Sequence, residues 1–342
     1  MLNRLLLVFA VVFAAGAFMT AADGESTTPA RADMPGEARE LRAWLTRIHD
    51  AASHRNFQGT FVVSAGGAVS SSRIAHFCVG KSQFERIESL DGPLRKVFRH
   101  DEIVHTHWPK SRVALVEQRD MLATFPALLQ GGGDRIVDFY EVRAQVGERV
   151  AGREADVLLL HPKDNRRYGY RLWTDKESGL LLRVEVLGER NEVLEASAFS
   201  DVLIGVKAQP DSVLLPMQRL AGYRVVRPVL TPARLDAEGW SMRQEVPGFD
   251  QVSCVKRPLR GMADDDSDAS TQVLQSIYSD GLTYVSVFIE PYNPARHSRD
   301  MHTAIGATQT LMRRLGAWWV TVVGDVPAGT LRQFANALEY KK

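Results

Sequence analysis

The 342-residue sequence has little of several features that usually reveal a protein's chemistry. It contains two cysteines, Cys78 and Cys254, and neither stands near the N-terminus, where a lipoprotein signal would need one. It has no serine in a G-x-S-x-G elbow and no H-E-x-x-H metal motif. Its formal net charge of +1 leaves no basic excess for nucleic acid or an acidic membrane. These absences disfavour a lipid-anchored protein, a recognisable enzyme and a nucleic-acid-binding protein.

The N-terminus has the pattern of a secretory leader. Arg4 is followed by the uncharged run Leu5–Met19 and then by small residues at Thr20 and Ala22. This run is shorter than the roughly 20 apolar residues that a membrane-spanning helix needs. We therefore predict that residues 1–22 are a signal peptide and that residues 23–36 are a flexible segment. The exported protein is expected to have no stable membrane insertion.

The two cysteines allow two alternatives. Disulfides persist in oxidising compartments, so Cys78 and Cys254 could form a bridge. They could instead be two buried free thiols, since free cysteine is among the most buried residue types. A bridge between two predicted domains requires a short Cα separation at their junction. The sequence leaves both alternatives open.

Periodicity predicts a first domain rich in strands. A helix is predicted over Glu37–Ser53, because apolar residues recur there at helical spacing, namely Leu41, Trp44, Leu45, Ile48 and Ala52. Alternation and turn signals predict strands over Asn56–Val206, with a hairpin between Leu182–Leu187 and Val193–Phe199. Met121–Gln130 interrupts these strands and is apolar nearly all round. It predicts a helix that is either buried or lines a cavity.

A second, smaller domain is predicted after a proline-containing linker. Pro210 and Pro216 break the strand pattern, so we place the linker at residues 207–217, between domains over 37–206 and 218–342. The second domain contains predicted strands and one closing helix, over Tyr223–Leu230, Tyr284–Ile289, Trp318–Val323 and Pro327–Leu338. The predicted class is therefore a β-rich α+β fold.

Five segments, in a fixed order along the chain, carry a family resemblance. They are DGPLRKVF at Asp91–Phe98, RYGYRLWTDKESGLLLRVEVL at Arg167–Leu187, GFDQVSCVKRPL at Gly248–Leu259, YSDGL at Tyr278–Leu282 and VGDVPAGTLRQFANALEY at Val323–Tyr340. Behind a predicted leader, this order resembles the RseB/MucB family of periplasmic regulators of the envelope-stress sigma factor. The similarity extends over nearly the whole chain after the leader.

The resemblance implies a fold and a role. The first domain should resemble the LolA and LolB carriers, with an unclosed, curved antiparallel sheet and plugging helices, and a smaller α+β domain should follow. The family binds the periplasmic region of an RseA/MucA-type anti-sigma factor and shields it from regulated proteolysis. Lipid-like or lipopolysaccharide signals are expected to release it. The implied location is the periplasm, with no catalytic residue and no cofactor. The alternative is a periplasmic lipid or lipoprotein carrier of the LolA type.

Candidate residues follow for both binding roles. The candidates for lining a lipid cavity are apolar residues on the predicted apolar helix and its neighbouring strands, namely Phe98, Trp108, Phe125, Leu128 and Leu129. The candidates for contacting the partner offer guanidinium donors or an aromatic ring, and they are Arg257, Arg260 and Tyr278. For each residue alone, the alternative is an ordinary core or solvated position. His105 and His107 share one face of a predicted strand but lack a closed ligand set, so no metal site is predicted.

Overall fold

Two large sheets dominate the structure. A computed structural model of the chain describes residues 36–118, 136–258 and 272–341. Strands in these residues form a twelve-stranded sheet, a seven-stranded sheet and a small two-stranded sheet. Few helices accompany them. The predicted β-rich α+β class with unclosed sheets is confirmed.

The twelve-stranded sheet is built mostly from consecutive antiparallel strands. These are β1 (Phe57–Ala65), β2 (Ala68–Val79), β3 (Ser82–Ser89), β4 (Lys96–His100), β5 (Ile103–Trp108), β6 (Val113–Gln118), β7 (Tyr140–Val150), β8 (Arg153–Pro162), β9 (Gly169–Asp175), β10 (Leu181–Leu187), β11 (Val193–Ile204) and β12 (Arg224–Val226). Their order is β12-β6-β5-β4-β3-β2-β1-β11-β10-β9-β8-β7, and β12 lies parallel to β6. The sheet therefore ends at β12 on one side and at β7 on the other.

Helices cover parts of this sheet. Helix α1 (Gly36–His54) confirms the predicted amphipathic helix, and it buries Leu45 and Ile48 in one apolar cluster with strands β8 to β10. A single turn, α2 (Ile136–Phe139), joins the same cluster. The hairpin of β10 and β11 is also confirmed. The predicted apolar helix over Met121–Gln130 lies outside the described residues.

The predicted linker contains a helix. Helix α3 (Asp211–Gln218) begins within residues 207–217, and its Val213 and Met217 pack on the first sheet. The strand predicted over Tyr223–Leu230 is shorter, and it belongs to the first sheet as β12 instead of opening the second domain. That prediction was wrong because a strand's pairing partner is set by tertiary contacts that its own sequence does not encode. The domain bounds themselves stay a prediction.

The second sheet has seven strands, with β13 at one edge and β18 at the other. Its strands are β13 (Thr231–Pro232), β15 (Asp250–Pro258), β16 (Gln272–Ser279), β17 (Tyr284–Pro291), β18 (Met301–Ile305), β19 (Thr308–Leu315) and β20 (Trp318–Gly324), in the order β13-β15-β16-β17-β20-β19-β18. Strands β14 (Trp240–Met242) and β21 (Leu338–Tyr340) pair with each other. Helix α4 (Ala328–Ala337) begins after Pro327 and buries Leu331 and Phe334 in the second core, as predicted. In the described part of the chain, no helix is both long enough and apolar enough to cross a bilayer.

Candidate functional site at the domain interface

The two sheets meet at a fully buried ion pair. Arg167 lies just before β9, and Asp280 lies in the turn between β16 and β17. The Arg167 Nε atom is 2.6 Å from the Asp280 Oδ2 atom, and both side chains have an exposed fraction of 0%. A buried charge is tolerated only when it is paired and hydrogen-bonded. We call this pair the ion-pair contact.

The guanidinium group of Arg167 is partnered on all sides. Its Nη1 atom is 2.5 Å from Asp164 Oδ2, and its Nη2 atom donates to the carbonyl oxygen of Pro247 at 3.4 Å. The Phe139 ring lies 4.1 Å from the guanidinium carbon, and the Phe249 ring lies 4.8 Å from it. Cation–π contacts of this kind strengthen when they are desolvated. The side chain of Arg167 therefore contacts residues of both domains.

The turn that carries Asp280 is held in place by its own backbone. The Asp280 Oδ1 atom accepts hydrogen bonds from the backbone N–H groups of Leu282 at 2.9 Å and Thr283 at 2.8 Å. Thr283 also donates its hydroxyl to the carbonyl oxygen of Asp325 at 3.2 Å. With one oxygen fixed by the turn, the other oxygen is already oriented toward Arg167. The carboxylate is thus preorganised for the partner domain.

The side chain of Leu282, in the same turn, packs into the core of the first domain. It is buried in the cluster that contains Leu45 and Ile48 of α1 and Tyr170 of β9. Removing this much apolar surface from water stabilises the contact by about 1.5–3 kcal/mol. The YSDGL segment therefore supplies both a charge and an apolar anchor to the interface.

Gly248 is required by the close approach of Arg167. Its φ angle is +82°, which non-glycine residues rarely adopt. A Cβ atom here would overlap Arg167 Nη2 and lie 2.7 Å from the Phe139 ring. The glycine of the GFDQVSCVKRPL segment thus makes room for the buried arginine.

A second interface region brings two carboxylates together. Glu195 of β11 accepts a hydrogen bond from the backbone of Ala307, in the turn between β18 and β19. Burial, and then the negative charge of Asp325, raise the pKa of Glu195 to about 7. Gly306 has a φ angle of +59°, and a Cβ atom there would lie 2.8 Å from the Ala65 Cβ. We call Glu195 and Asp325 the carboxylate contact.

Two further hydrogen bonds connect the domains between these contacts. The Gln309 Nε2 atom donates to the Tyr168 hydroxyl at 3.2 Å. The Thr330 hydroxyl, in α4, donates to the carbonyl oxygen of Arg166 at 3.0 Å. Four of the segments that carry the family resemblance therefore supply contacts between the domains, and the last of them supplies both Asp325 and Thr330.

The partner-contact candidates occupy different environments. Arg257 has a side-chain exposure of 17%, donates to Gln275 Oε1 at 3.3 Å and lies 4.0 Å from Glu117 Oε1 of the first domain. Tyr278 is 7% exposed and packs on the Phe334 ring at 5.0 Å. It is thus a core side chain here, because the face of β16 that carries it is covered by α4. Arg260 lies outside the described residues.

The two lipid-cavity candidates that the structure describes, Phe98 and Trp108, lie on opposite faces of the first sheet. Phe98 pairs with His105 across β4 and β5, whereas Trp108 is three residues further and lies on the opposite face. Phe98 is buried beneath Val213 and Met217 of α3, a helix that the sequence had assigned to the linker. Trp108 is half-buried. The remaining candidates, Phe125, Leu128 and Leu129, lie outside the described residues, so an acyl-chain pocket stays a prediction.

Both cysteines are free in the structure. Cys78 lies on β2 of the first sheet and Cys254 lies on β15 of the second. The disulfide that the sequence left open is not formed in this structure. Within residues 36–118, 136–258 and 272–341, no group of three or more His, Cys, Asp or Glu side chains is arranged to hold a metal ion.

Sequence reasoning missed the residues that form the interface. Arg167, Gly248 and Asp280 stand inside the segments that carry the family resemblance, yet no role was predicted for them. A usable signal was present, because charged residues that lie beside predicted buried strands need a buried partner. The sequence does not reveal which partner each charge has.

Comparison with known proteins identifies the family. The family model of the MucB/RseB N-terminal domain matches residues 40–217, and the model of the MucB/RseB C-terminal domain matches residues 234–339. Together these models cover most of the chain.

Relatives and solved structures agree with these models. The sigma factor AlgU regulatory protein MucB of Pseudomonas aeruginosa is 31% identical over 88% of this chain and 92% of its own length. The sigma-E factor regulatory protein RseB of Escherichia coli K12 is 24% identical over 87% of this chain and 90% of its own length. In the solved MucA/MucB complex of Pseudomonas aeruginosa, a chain 29% identical to this one matches with a TM-score of 0.68, covering 89% of this chain and 99% of that chain. The chain therefore belongs to the MucB/RseB family, which confirms the resemblance seen in its sequence.

Proposed function

We propose that this chain is a periplasmic negative regulator of an envelope-stress sigma factor. It binds the periplasmic region of a MucA-type anti-sigma factor and shields that region from the protease that starts its degradation. The observation that carries the proposal is the match to the complex of MucB with MucA, which extends through both domains of this chain. The relatives' names as sigma factor regulatory proteins support it.

The domain interface supports a role in signalling by binding. A protein that switches needs two arrangements whose stabilities a ligand can change. Here the contacts between domains are specific and include both fixed and titratable charges. If the anti-sigma factor and a lipid-like or lipopolysaccharide signal favour different domain arrangements, their binding is reciprocally coupled. The chain acts by binding and needs no catalytic residue for this.

A direct test uses the full chain without residues 1–22. Titration calorimetry with the periplasmic segment of the cognate anti-sigma factor should give saturable one-to-one binding. The segment should then resist cleavage by the envelope protease in proportion to the bound fraction. Addition of lipopolysaccharide should restore cleavage. A chain that binds lipid but leaves cleavage of the segment unchanged would instead be a carrier of the LolA type.

The site of partner binding is proposed at the junction of the domains. Arg257 lies there with a partly exposed guanidinium group near Glu117. Replacing it in the variant R257A should weaken binding of the anti-sigma segment by about tenfold, because charge-assisted hydrogen bonds at a binding surface contribute about 1.5–3 kcal/mol. The matched control is R243A, on a side chain that is 69% exposed and pairs with Glu339. Equal effects of the two substitutions would rule out Arg257 as a contact.

A further inference from the structure

One cysteine lies beside a histidine and a carboxylate. The Cys78 Sγ atom is 3.4 Å from His76 Nε2, and His76 Nδ1 is 3.5 Å from Glu85 Oε2. His76 and Cys78 are two residues apart on β2, so their side chains share a face, and Glu85 stands opposite His76 on β3. The strand pairing therefore fixes a row of thiol, imidazole and carboxylate.

The orientation of the imidazole follows from its neighbours. The His76 ring is 2% exposed and stacks on the Phe57 ring at 5.2 Å. The tautomer with its Nδ1–H directed to Glu85 leaves Nε2 as an acceptor 3.4 Å from the Cys78 sulfur, while the thiol donates to the carbonyl oxygen of Ser53 at 3.0 Å. Burial opposes the ionisation of Glu85, but the charge of Arg99 and the hydrogen bond from His76 hold the pKa of its carboxyl below its ordinary value. Glu85 is therefore a positioning residue that stays charged.

Arg99 adds an unused donor to this cluster. Its side chain is more than nine-tenths buried, its Nη2 atom donates to Gln83 Oε1 at 3.2 Å, and its Nε atom has no hydrogen-bond partner. Buried donors are nearly always satisfied, so an unsatisfied guanidinium nitrogen calls for an explanation. The charge of Arg99 also acts on the Cys78 thiol. A ligand carrying a carboxylate would supply the missing acceptor.

The other cysteine of the chain lacks this environment. Cys254 is also half-buried, but burial and then the negative charges of Glu238 and Asp236 raise the pKa of its thiol to about 11. Burial also raises the pKa of the Cys78 thiol, although the positive charge of Arg99 opposes the shift. The chain thus contains a matched pair of thiols, of which one has an adjacent base.

We propose that Cys78, His76 and Glu85 form a thiol-exchange site for small disulfides that carry a carboxylate. His76 Nε2 takes the proton from Cys78 Sγ as the sulfur attacks one sulfur of the disulfide. The disulfide bond breaks, a mixed disulfide forms on Cys78, and the proton passes from His76 to the departing thiolate. A small thiol reverses the exchange, so no further oxidant or reductant is consumed. Arg99 binds the carboxylate of the incoming molecule.

The first test compares Cys78 with an ordinary thiol. The full chain without residues 1–22 is prepared as C254S and as C78S, and each is mixed with the carboxylate-bearing disulfide dithiobis(nitrobenzoate) while release of the coloured thiol is followed. A half-buried thiol of raised pKa with no base reacts more slowly than free N-acetylcysteine, because only its thiolate attacks. We expect C254S to react about tenfold faster than N-acetylcysteine at pH 7, and C78S to react more slowly. A rate for C254S below that of N-acetylcysteine would overturn the proposal.

The second test removes the base and the anion donor. In the C254S background, H76Q should lower the rate about tenfold or more at pH 7 and leave a rate that follows the thiolate fraction alone. R99Q should slow the reaction with dithiobis(nitrobenzoate) several-fold more than the reaction with neutral dipyridyl disulfide. Unchanged rates and pH profiles in folded H76Q would refute the role of His76. The first test alters none of these side chains, so it decides the matter if H76Q does not fold.

Discussion

The ion-pair contact and the carboxylate contact, which both lie between the domains, differ in the signs of their charges. In the ion-pair contact, Arg167 and Asp280 carry opposite charges and both are fully buried. In the carboxylate contact, Glu195 and Asp325 are both acids, and Glu195 has a pKa of about 7. Opposite charges compensate the loss of water, whereas like charges add to its cost. One region of the interface is therefore fixed over the usual pH range, and the other region depends on protonation.

The interface therefore combines a contact that does not depend on pH with a contact whose strength changes with pH. Arginine stays protonated at any physiological pH, so the ion-pair contact holds the domains together under all ordinary conditions. Glu195 exchanges its proton near neutrality, so the carboxylate contact weakens as the pH rises. The proposed function requires the domains to rearrange, and the carboxylate contact is the part of the interface that a change in protonation can weaken.

Breaking the ion-pair contact should have the largest effect. The variant R167M leaves the Asp280 carboxylate buried without its partner, which should lower the free energy of unfolding by about 3–5 kcal/mol. Denaturant unfolding followed by tryptophan fluorescence measures it. The matched control is R166M, because Arg166 is adjacent, partly exposed and paired with Asp164, and its loss should cost about 1 kcal/mol or less. Equal losses in the free energy of unfolding for R167M and R166M would show that the buried ion pair stabilises the fold no more than the partly exposed pair does.

Removing the apolar anchor beside Asp280 should have the next largest effect. The variant L282A leaves a cavity in the first-domain cluster, which should cost about 2–4 kcal/mol. L203A is the control, since that side chain is 60% exposed and its loss should cost about 0.5 kcal/mol or less. Thermal unfolding by calorimetry compares the two. A loss confined to the transition of the second domain would contradict the assignment of Leu282 to the first core.

Substituting Gly248 tests the space around Arg167. G248A forces a strained φ angle and a Cβ atom that overlaps the guanidinium group, so we expect a loss of about 2–3 kcal/mol. G222A is matched in backbone conformation, with a φ of +80°, but its Cβ would meet open space. It should cost about 1 kcal/mol from the backbone alone. The difference between the two variants in urea unfolding isolates the steric part.

The carboxylate contact should give the smallest effect, and one that depends on pH. Because the folded protein raises the pKa of Glu195 from 4.5 to about 7, the contribution of Glu195 to the free energy of unfolding is most favourable below pH 4.5 and is lost as the pH rises through 7. E195Q does not titrate, so at pH 8 it should be more stable than the native protein by about 1–2 kcal/mol after allowance for solvent. The advantage should vanish at pH 4. An advantage of equal size at both pH values would show that it does not come from the titration of Glu195, and E189Q at an exposed position is the control.

Much of the local structure was predictable from the sequence. Helical spacing identified α1 and α4, and alternation identified the hairpin of β10 and β11, because these patterns report which face of an element is buried. The turn at Asp91 was also predictable from its Asp-Gly-Pro signal. There the Asp91 carboxylate accepts hydrogen bonds from the backbone N–H and the hydroxyl of Ser71, which lies 20 residues earlier on the paired strand β2. Such contacts are set by neighbours in the chain and its hairpins.

The sequence by itself determined the class of fold, the family and a few elements, among them α1, α4 and the hairpin of β10 and β11. Only the tertiary structure decided that α3 packs on the first sheet and that β12 pairs with it. It also decided that Tyr278 lies in the second core and that Arg167 pairs with Asp280. The physical reason is the range of the interactions. Hydrophobic periodicity and turn chemistry act over a few residues, whereas Arg167 and Asp280 are separated by 113 residues and meet only after both sheets have formed.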